Sequence, residues 1–189
     1  MWVNRVRRLA GLGLLLISLT ALAWSLWPVP QQTLRVDLPP GGGSPALRLP
    51  GFVRVGEPAE ILLELSAPTG APQAAGALLT ARLELPGLEH APSGEMSQAQ
   101  PASRPAAFRW EIRAARPGMF DGVVWLYTAA PAAGQAQPER QVLSAQRFQI
   151  RSGDFFGLDS RWAQALGIAG AAIGAVFGLD GAVVWFLRR

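Results

Sequence analysis

The sequence predicts an antiparallel β-sandwich flanked by two transmembrane α-helices. Both ends of the chain carry apolar stretches of about 20 residues, long enough at ~1.5 Å per residue to cross the ~30 Å hydrocarbon core of a bilayer. Between them, short segments of alternating apolar and polar residues are separated by turns rich in Pro and Gly, which is typical of antiparallel strands. The water-soluble part is the size of one ordinary domain.

The N-terminal segment has the composition of a membrane helix. We assign residues 1–8 to a cytoplasmic N-terminus and residues 9–27 to transmembrane helix 1. Ala21-Leu22-Ala23 fits the small-x-small rule of signal peptidase, so a cleaved signal peptide is the alternative interpretation. The apolar run is longer than a usual signal-peptide core, which favours retention, but the sequence leaves the fate of residues 1–23 open.

The tryptophans lie where the two apolar segments meet water. Tryptophan concentrates at membrane–water interfaces, and five of the 7 tryptophans are at the expected borders. We therefore predict that they are interface anchors: Trp2, Trp24, Trp27, Trp162 and Trp185.

The terminal arginines set the predicted topology. Basic residues are enriched on the cytoplasmic side of membrane helices, and they flank both segments as Arg5, Arg7, Arg8, Arg188 and Arg189. Both termini are thus expected in the cytoplasm and the central domain, residues 28–152, outside it. The absence of Lys beside abundant Ala, Gly and Pro suggests a GC-rich bacterial genome, and hence a bacterial cytoplasmic (inner) membrane.

The second apolar segment, residues 162–187, contains a ladder of glycines on one helical stripe. Missing side chains let another helix approach closely, so we predict a helix-packing role for the glycines of this stripe. They are Gly167, Gly170, Gly174, Gly178 and Gly181. The partner could be the first segment, a second copy of the chain or another membrane protein.

Asp180 is an acidic residue inside this predicted helix. An isolated carboxylate in hydrocarbon is costly, so such residues are usually paired or face protein. We predict an intramembrane polar contact, either with Arg7, Arg8 or Arg188 at the membrane edge or with a partner subunit.

The middle of the chain predicts roughly seven strands, the number expected of an antiparallel sandwich. The clearest alternation lies in Glu60–Leu65, Phe108–Ile112 and Val123–Tyr127. Residues 86–107 are polar and rich in Pro and Ser, and we interpret them either as a long loop or as a region held in place by contacts with other parts of the chain. Residues 153–161 mix aromatic and charged side chains, as expected of a collar at the headgroup level. Residues 188–189 complete the chain as a cytoplasmic C-terminus.

A resemblance extends this prediction. The pattern Phe108-x-Trp110-x-Ile112, then Pro117-Gly118, then Gly122–Tyr127 resembles the paired late strands of bacterial immunoglobulin-like domains. It implies an all-β immunoglobulin-like antiparallel sandwich whose occupation is binding or spacing, and it implies no catalytic residues. The full fold class is therefore this sandwich flanked by two transmembrane α-helices.

Composition argues against several function classes. There are 0 cysteines, which excludes disulfides and thiolate chemistry, and the sole histidine, His90, lies in the polar loop without a clear second ligand. The net charge of +4 comes from the termini, and the neutral middle offers no footprint for nucleic acid. We predict no enzyme activity, no metal, no cofactor and no catalytic residue.

These observations predict a non-enzymatic accessory or assembly subunit of a larger bacterial membrane complex. Its expected partners are the lipid bilayer and other membrane subunits, or a second copy through the C-terminal helix. The alternative is a stand-alone cell-surface protein whose sandwich recognises an extracellular ligand, and an enzyme is the weakest hypothesis. The identity of the partner, the strand order, the oligomeric state and the organism do not follow from the sequence.

Overall fold

The computed structural model describes residues 2–36, 45–65, 78–99, 105–130 and 139–186. For residues 2–5, 7, 8, 130, 139 and 178–186 it describes the backbone only. The chain divides into two compact units: residues 29–153 form one, and residues 1–28 together with 154–189 form the other.

The unit of residues 29–153 contains ten strands within the described ranges. The first sheet has the order β1-β2-β4-β8-β6 and the second the order β3-β10-β9-β5-β7. The first sheet consists of β1 (Gln31–Arg35), β2 (Ala46–Pro50), β4 (Pro58–Leu65), β8 (Ala106–Arg113) and β6 (Glu89–Ala91). The second consists of β3 (Phe52–Arg54), β10 (Glu139–Gly153), β9 (Gly118–Ala130), β5 (Leu78–Glu84) and β7 (Met96–Ala99).

Alternation along the strands builds one core between the two sheets. In β8 every second residue is buried, namely Ala106, Phe108, Trp110 and Ile112, because successive side chains of a strand point to opposite faces. Trp110 is fully buried and its ring stacks on Phe108 with 6.4 Å between centroids. Buried residues of both sheets belong to the same hydrophobic cluster, so the sheets form a sandwich.

The strand order is that of an immunoglobulin-like sandwich. In the constant-type plan, strands A, B, E and D form one sheet and strands C, F and G the other. Taken in chain order, β2, β4, β5, β6, β8, β9 and β10 occupy the positions A to G. The remaining strands β1, β3 and β7 extend the edges. The topology supports the resemblance, with three strands more than the sequence predicts.

Two features of the sandwich differ from the sequence-based expectations. The sheet is not wholly antiparallel, because β3 pairs in parallel with β10, with Phe52 opposite Arg151. This follows because Gly51 is the only residue between β2 and β3, so the chain keeps its direction as it passes from one sheet to the other. The predicted loop over 86–107 also contains strands β6 and β7, and β8 already begins at Ala106.

The other unit contains two helices, α1 (Trp2–Leu26) and α2 (Ser160–Phe186). They are antiparallel, since Gly167 lies against Ser18 and Leu22, whereas Gly174 lies against Gly11 and Leu15. The hydroxyls of Thr20 and Ser25 donate to carbonyls of their own helix, at 2.9 and 3.0 Å. These side-chain donors therefore need no water.

Among the described residues, one helix is long and apolar enough to cross a membrane, over Leu9–Leu26 near the N-terminus. A signal sequence has the same properties. The prediction of two transmembrane helices is therefore corrected to one helix with the length and hydropathy of a membrane span among the described residues. The described side chains of α2 include Arg161, Gln164 and several Gly, which lower its hydropathy, and its apolar end beyond Phe177 lies outside the described side chains.

Candidate functional site

The outer face of the second sheet carries an aromatic cluster at its centre. Val124 and Leu126 of β9 are buried in the core, so Trp125 and Tyr127 point to the opposite face. Their rings stack with 6.3 Å between centroids and 13° between planes. Trp125 pairs with Arg82 of β5, which places it in the middle of the sheet.

An arginine from β10 covers the tyrosine of this cluster. The Cζ atom of Arg140 lies 3.8 Å from the centroid of the Tyr127 ring, a cation–π contact. The same guanidinium donates two hydrogen bonds to the Glu95 carboxylate, at 2.7 and 3.1 Å. The two terminal nitrogens of the guanidinium are both held by one carboxylate, which fixes the position of the guanidinium beside the ring.

The ion pair shifts the pKa values of both partners. The hydrogen bond from Arg140 holds the pKa of the Glu95 carboxyl below its usual value, and the hydrogen bond to Glu95 raises the pKa of Arg140. Both groups are therefore charged at neutral pH.

Apolar side chains on β5 and β10 extend the aromatic cluster sideways. Val142 lies opposite Tyr127 and is 52% exposed, and Leu78 lies opposite Ala129 and is 40% exposed. We call the whole surface the aromatic face. It consists of Leu78, Arg82, Trp125, Tyr127, Arg140 and Val142.

The outer face of the first sheet has a different composition. It is crossed by ion pairs, with Arg109 to Glu60 at 2.9 Å and Arg48 to Glu64 at 3.1 Å. Exposed pairs of this kind suit a solvated surface and contribute little to stability. An open cleft of about 490 Å³ on this face is lined by Pro58, Ala59, Glu60, Ala91, Arg109 and Glu111. Ion pairs occur on both outer faces, since Arg82 pairs with Glu84 at 3.1 Å, but among the described residues the stacked Trp and Tyr lie on the second sheet.

Those predicted packing glycines whose surroundings are described lie against α1. A Cβ at Gly174 would lie 2.8 Å from the backbone N of Leu15 and 3.0 Å from the backbone O of Gly11. A Cβ at Gly170 would collide with the hydroxyl of Ser18. The helices therefore approach at backbone distance, and α1 is the neighbour of this part of the stripe.

The buried residues of α2 follow a spacing of three and four. Ser160, Ala163, Gly167, Gly170 and Gly174 are buried, and α1 buries small residues seven apart, at Gly11, Ser18 and Ser25. Alternating steps of three and four are typical of left-handed helix pairs, whereas a strict step of four is typical of right-handed crossings. The predicted glycine stripe contains the three buried glycines of α2, whereas the small residues of α1 were not predicted to pack there.

The remaining predicted residues are only partly described. The ring of Trp24 lies 5.5 Å from that of Phe155, and Trp27 and Trp162 are largely exposed. Gly178, Asp180, Gly181 and Trp185 belong to α2, and Trp2, Arg5, Arg7 and Arg8 belong to α1, but their side chains lie outside the described residues. Arg188 and Arg189 lie outside them entirely. Their predicted roles stay predictions.

His90 does not lie in a loop. It is half-buried on the edge strand β6, opposite Ile112 of β8. Among the described side chains, no group of three or more His, Cys, Asp or Glu is arranged to hold a metal ion.

Comparison with known proteins gives only distant likenesses. No family model and no curated protein matches the chain. A chain from the human seminal-plasma complex of zinc 2-glycoprotein and prolactin inducible protein is 10% identical over 65% of this chain and 93% of its own, with a TM-score of 0.41. A cohesin module of a family 33 glycoside hydrolase from Clostridium perfringens is 9% identical over 66% of this chain and 100% of its own, with a TM-score of 0.40.

A conjugative transposon lipoprotein from Bacteroides eggerthii is 17% identical over 64% of this chain and 96% of its own, with a TM-score of 0.32. All three TM-scores are below 0.5, so the immunoglobulin-like assignment of this chain follows from its own strand order.

Proposed function

We propose that this protein is a non-enzymatic, membrane-anchored accessory or assembly subunit whose sandwich docks through the aromatic face on another membrane protein. The observation that carries the docking proposal is the contrast between the two outer faces. Trp, Tyr and Arg are the residue types enriched at binding hot spots, and the aromatic face brings Trp125, Tyr127 and Arg140 into direct contact. The charged face of the first sheet lacks this combination among its described residues.

The composition of the helix pair supports membrane anchorage. Its interior is lined by Gly, Ala and Ser, while its large apolar side chains, such as Leu16, Ile17 and Val176, are exposed. A helix pair in water has the opposite arrangement, because it must bury its large apolar residues. We infer that α1 crosses a bilayer, that α2 packs alongside α1, and that lipid surrounds both helices.

The proposed topology follows from the arginines in the first turns of α1. Basic residues favour the cytoplasmic side, so we expect the N-terminal end of α1 there. The sandwich would then lie outside the cytoplasm of a bacterial cell. The connections between the helices and the sandwich are short, since α1 ends at Leu26, β1 begins at Gln31, β10 ends at Gly153 and α2 begins at Ser160. A partner within reach would thus be a membrane-proximal one.

Crosslinking in native membranes tests the docking proposal. A photoreactive p-benzoylphenylalanine is placed either at Val142, on the aromatic face, or at Ala107, which is exposed on the face of the first sheet. The full-length chain is expressed in its native host, and crosslinked proteins are identified by mass spectrometry. We expect one membrane protein to be crosslinked from position 142 and not from position 107.

Matched variants show whether that product depends on the aromatic face. Trp125→Ala should remove the crosslink from position 142, and Arg109→Ala, on the other face, should retain it. A product that survives Trp125→Ala, or equal labelling from both positions, would contradict docking through this face. A chain that crosslinks no membrane protein but is stabilised by an extracellular ligand would favour the cell-surface receptor instead.

A further inference from the structure

A tight turn precedes α2. The backbone amides of Phe155 and Leu158 each donate to the carbonyl of the other, both at 3.0 Å, and the two residues between them have positive φ. Phe156 has φ of 52° and Gly157 of 82°. Positive φ at both central positions is the pattern of a type I′ turn, where Asn, Asp and Gly are preferred. A phenylalanine at the first of these positions is therefore unusual, because its Cβ disfavours the left-handed region.

The backbone of this turn directs Phe156 away from the protein. Phe156 is 92% exposed, and its ring makes an edge-to-face contact with the ring of Phe155, with 5.0 Å between centroids. Because Phe156 is almost fully exposed, burial of its ring contributes little free energy to the stability of the fold. Its chemistry suggests that an apolar medium outside the protein receives it.

Contacts within the helical unit place the turn beside the C-terminal end of the apolar stretch of α1. Phe155 packs on Trp24, which is close to the end of the apolar stretch Leu9–Leu26. Trp27, just beyond that stretch, is exposed, and so is Trp162 in the first turn of α2. The nearby Asp159 caps α2, because its carboxylate accepts a hydrogen bond of 2.9 Å from the backbone N of Trp162. This hydrogen bond stabilises its charge close to the membrane interface.

We propose that the turn Phe155–Leu158 is a lipid-binding wedge that inserts Phe156 into the outer interfacial layer of the bilayer around the helix pair. The partner is the lipid surface, because the turn is continuous with the apolar surface of α1 and is bordered by tryptophans, the side chains that prefer this layer. This inference rests on the proposed membrane anchorage and does not depend on docking through the aromatic face.

Site-directed spin labelling of the full-length chain tests the wedge. The sequence has 0 cysteines, so each label is introduced by one substitution. Phe156→Cys is compared with Leu16→Cys, exposed on α1, and with Ala107→Cys, exposed on the sandwich. The protein is reconstituted in vesicles of phosphatidylcholine and phosphatidylglycerol, and the accessibility of each nitroxide to oxygen and to a water-soluble nickel complex is measured.

We expect the label at position 16 to favour oxygen, the label at 107 to favour nickel, and the label at 156 to lie between them. A label at 156 as accessible to nickel as that at 107, with position 16 in lipid, would overturn the wedge and leave the anchorage intact. A nickel-accessible label at 16 would overturn both.

An isosteric probe covers the case in which the label perturbs the turn. Replacement of Phe156 by p-cyanophenylalanine keeps the ring and the turn, and its nitrile vibration reports hydration. A shift towards the apolar value in vesicles supports the wedge, and a fully hydrated nitrile contradicts it.

Discussion

Gly174→Ala is the sharpest test of how closely α1 and α2 approach. The new methyl group would lie 2.8 Å from the backbone N of Leu15, whereas ordinary van der Waals contact begins at 3.4 Å. The obstacle is backbone, so a rotamer change cannot relieve it, and the helices must separate by roughly half an ångström. Overpacking of this kind typically costs about 1–3 kcal/mol.

Gly13→Ala is the matched control. A Cβ at Gly13 meets nothing within 4 Å, so this variant gains the helix propensity of Ala, worth up to ~1 kcal/mol, without a clash. Gly174→Ala gains the same propensity but also separates the helices. The difference in unfolding free energy between the two variants is therefore the overpacking term, and we expect Gly174→Ala to be the less stable by about 1–3 kcal/mol.

The assay is unfolding of the full-length protein in mild detergent by added sodium dodecyl sulfate. Helix content is followed by far-ultraviolet circular dichroism, and the separation of the helices by the distance between two spin labels on exposed positions of α1 and α2. We expect a lower unfolding midpoint and a longer distance for Gly174→Ala. Equal stability of the two alanine variants would refute the close approach.

Three further predictions concern the sandwich. Gly122→Ala places its Cβ on the ring of Phe148 and should lower the unfolding free energy by about 1–3 kcal/mol in urea titrations; an unchanged midpoint would show that the ring has room to move. Trp110→Ala should cost about 3–5 kcal/mol because it leaves a cavity in the core. Trp110→Phe should cost less, since the indole N–H is buried without a hydrogen-bond acceptor in the described part of the chain, and an equal loss would argue against that difference. The pKa of Glu95 is lowered by Arg140, so the stabilisation from this pair should be present above the ordinary value of 4.5 and be lost as the pH falls through the lowered one. Arg140→Gln should return the titration of the Glu95 carboxyl, followed by NMR, to its ordinary range, and a titration curve that does not move would exclude the pair in solution.

Strands with strong alternation of apolar and polar residues are predictable from the sequence. In β4 and β8 one face is buried and the other exposed, so the period of two is visible in the residues themselves. The edge strands β6 and β7 were not predicted, because each is short and polar and owes its conformation to pairing with a longer strand. For the same reason the polar residues around His90 predict a loop.

The aromatic face is predictable from the sequence only in part. The alternation over Val123–Tyr127 already implies that Trp125 and Tyr127 share a face opposite Val124 and Leu126. The contact between Arg140 and Glu95 joins residues 45 positions apart, and no local pattern connects them. Likewise, the glycine stripe indicates a close helix contact, but the identity of the neighbour depends on tertiary packing.

The passage of the chain from β2 to β3 has a mechanical consequence. Gly51 donates a hydrogen bond of 2.8 Å to the carbonyl of Pro30, at the first residues of the sandwich unit, and β3 pairs with Arg151–Gly153, its last residues. One segment of nine residues, from Ala46 to Arg54, therefore fastens both ends of the domain to each other. Tension applied to either end of the sandwich should therefore act on hydrogen bonds made to this same segment.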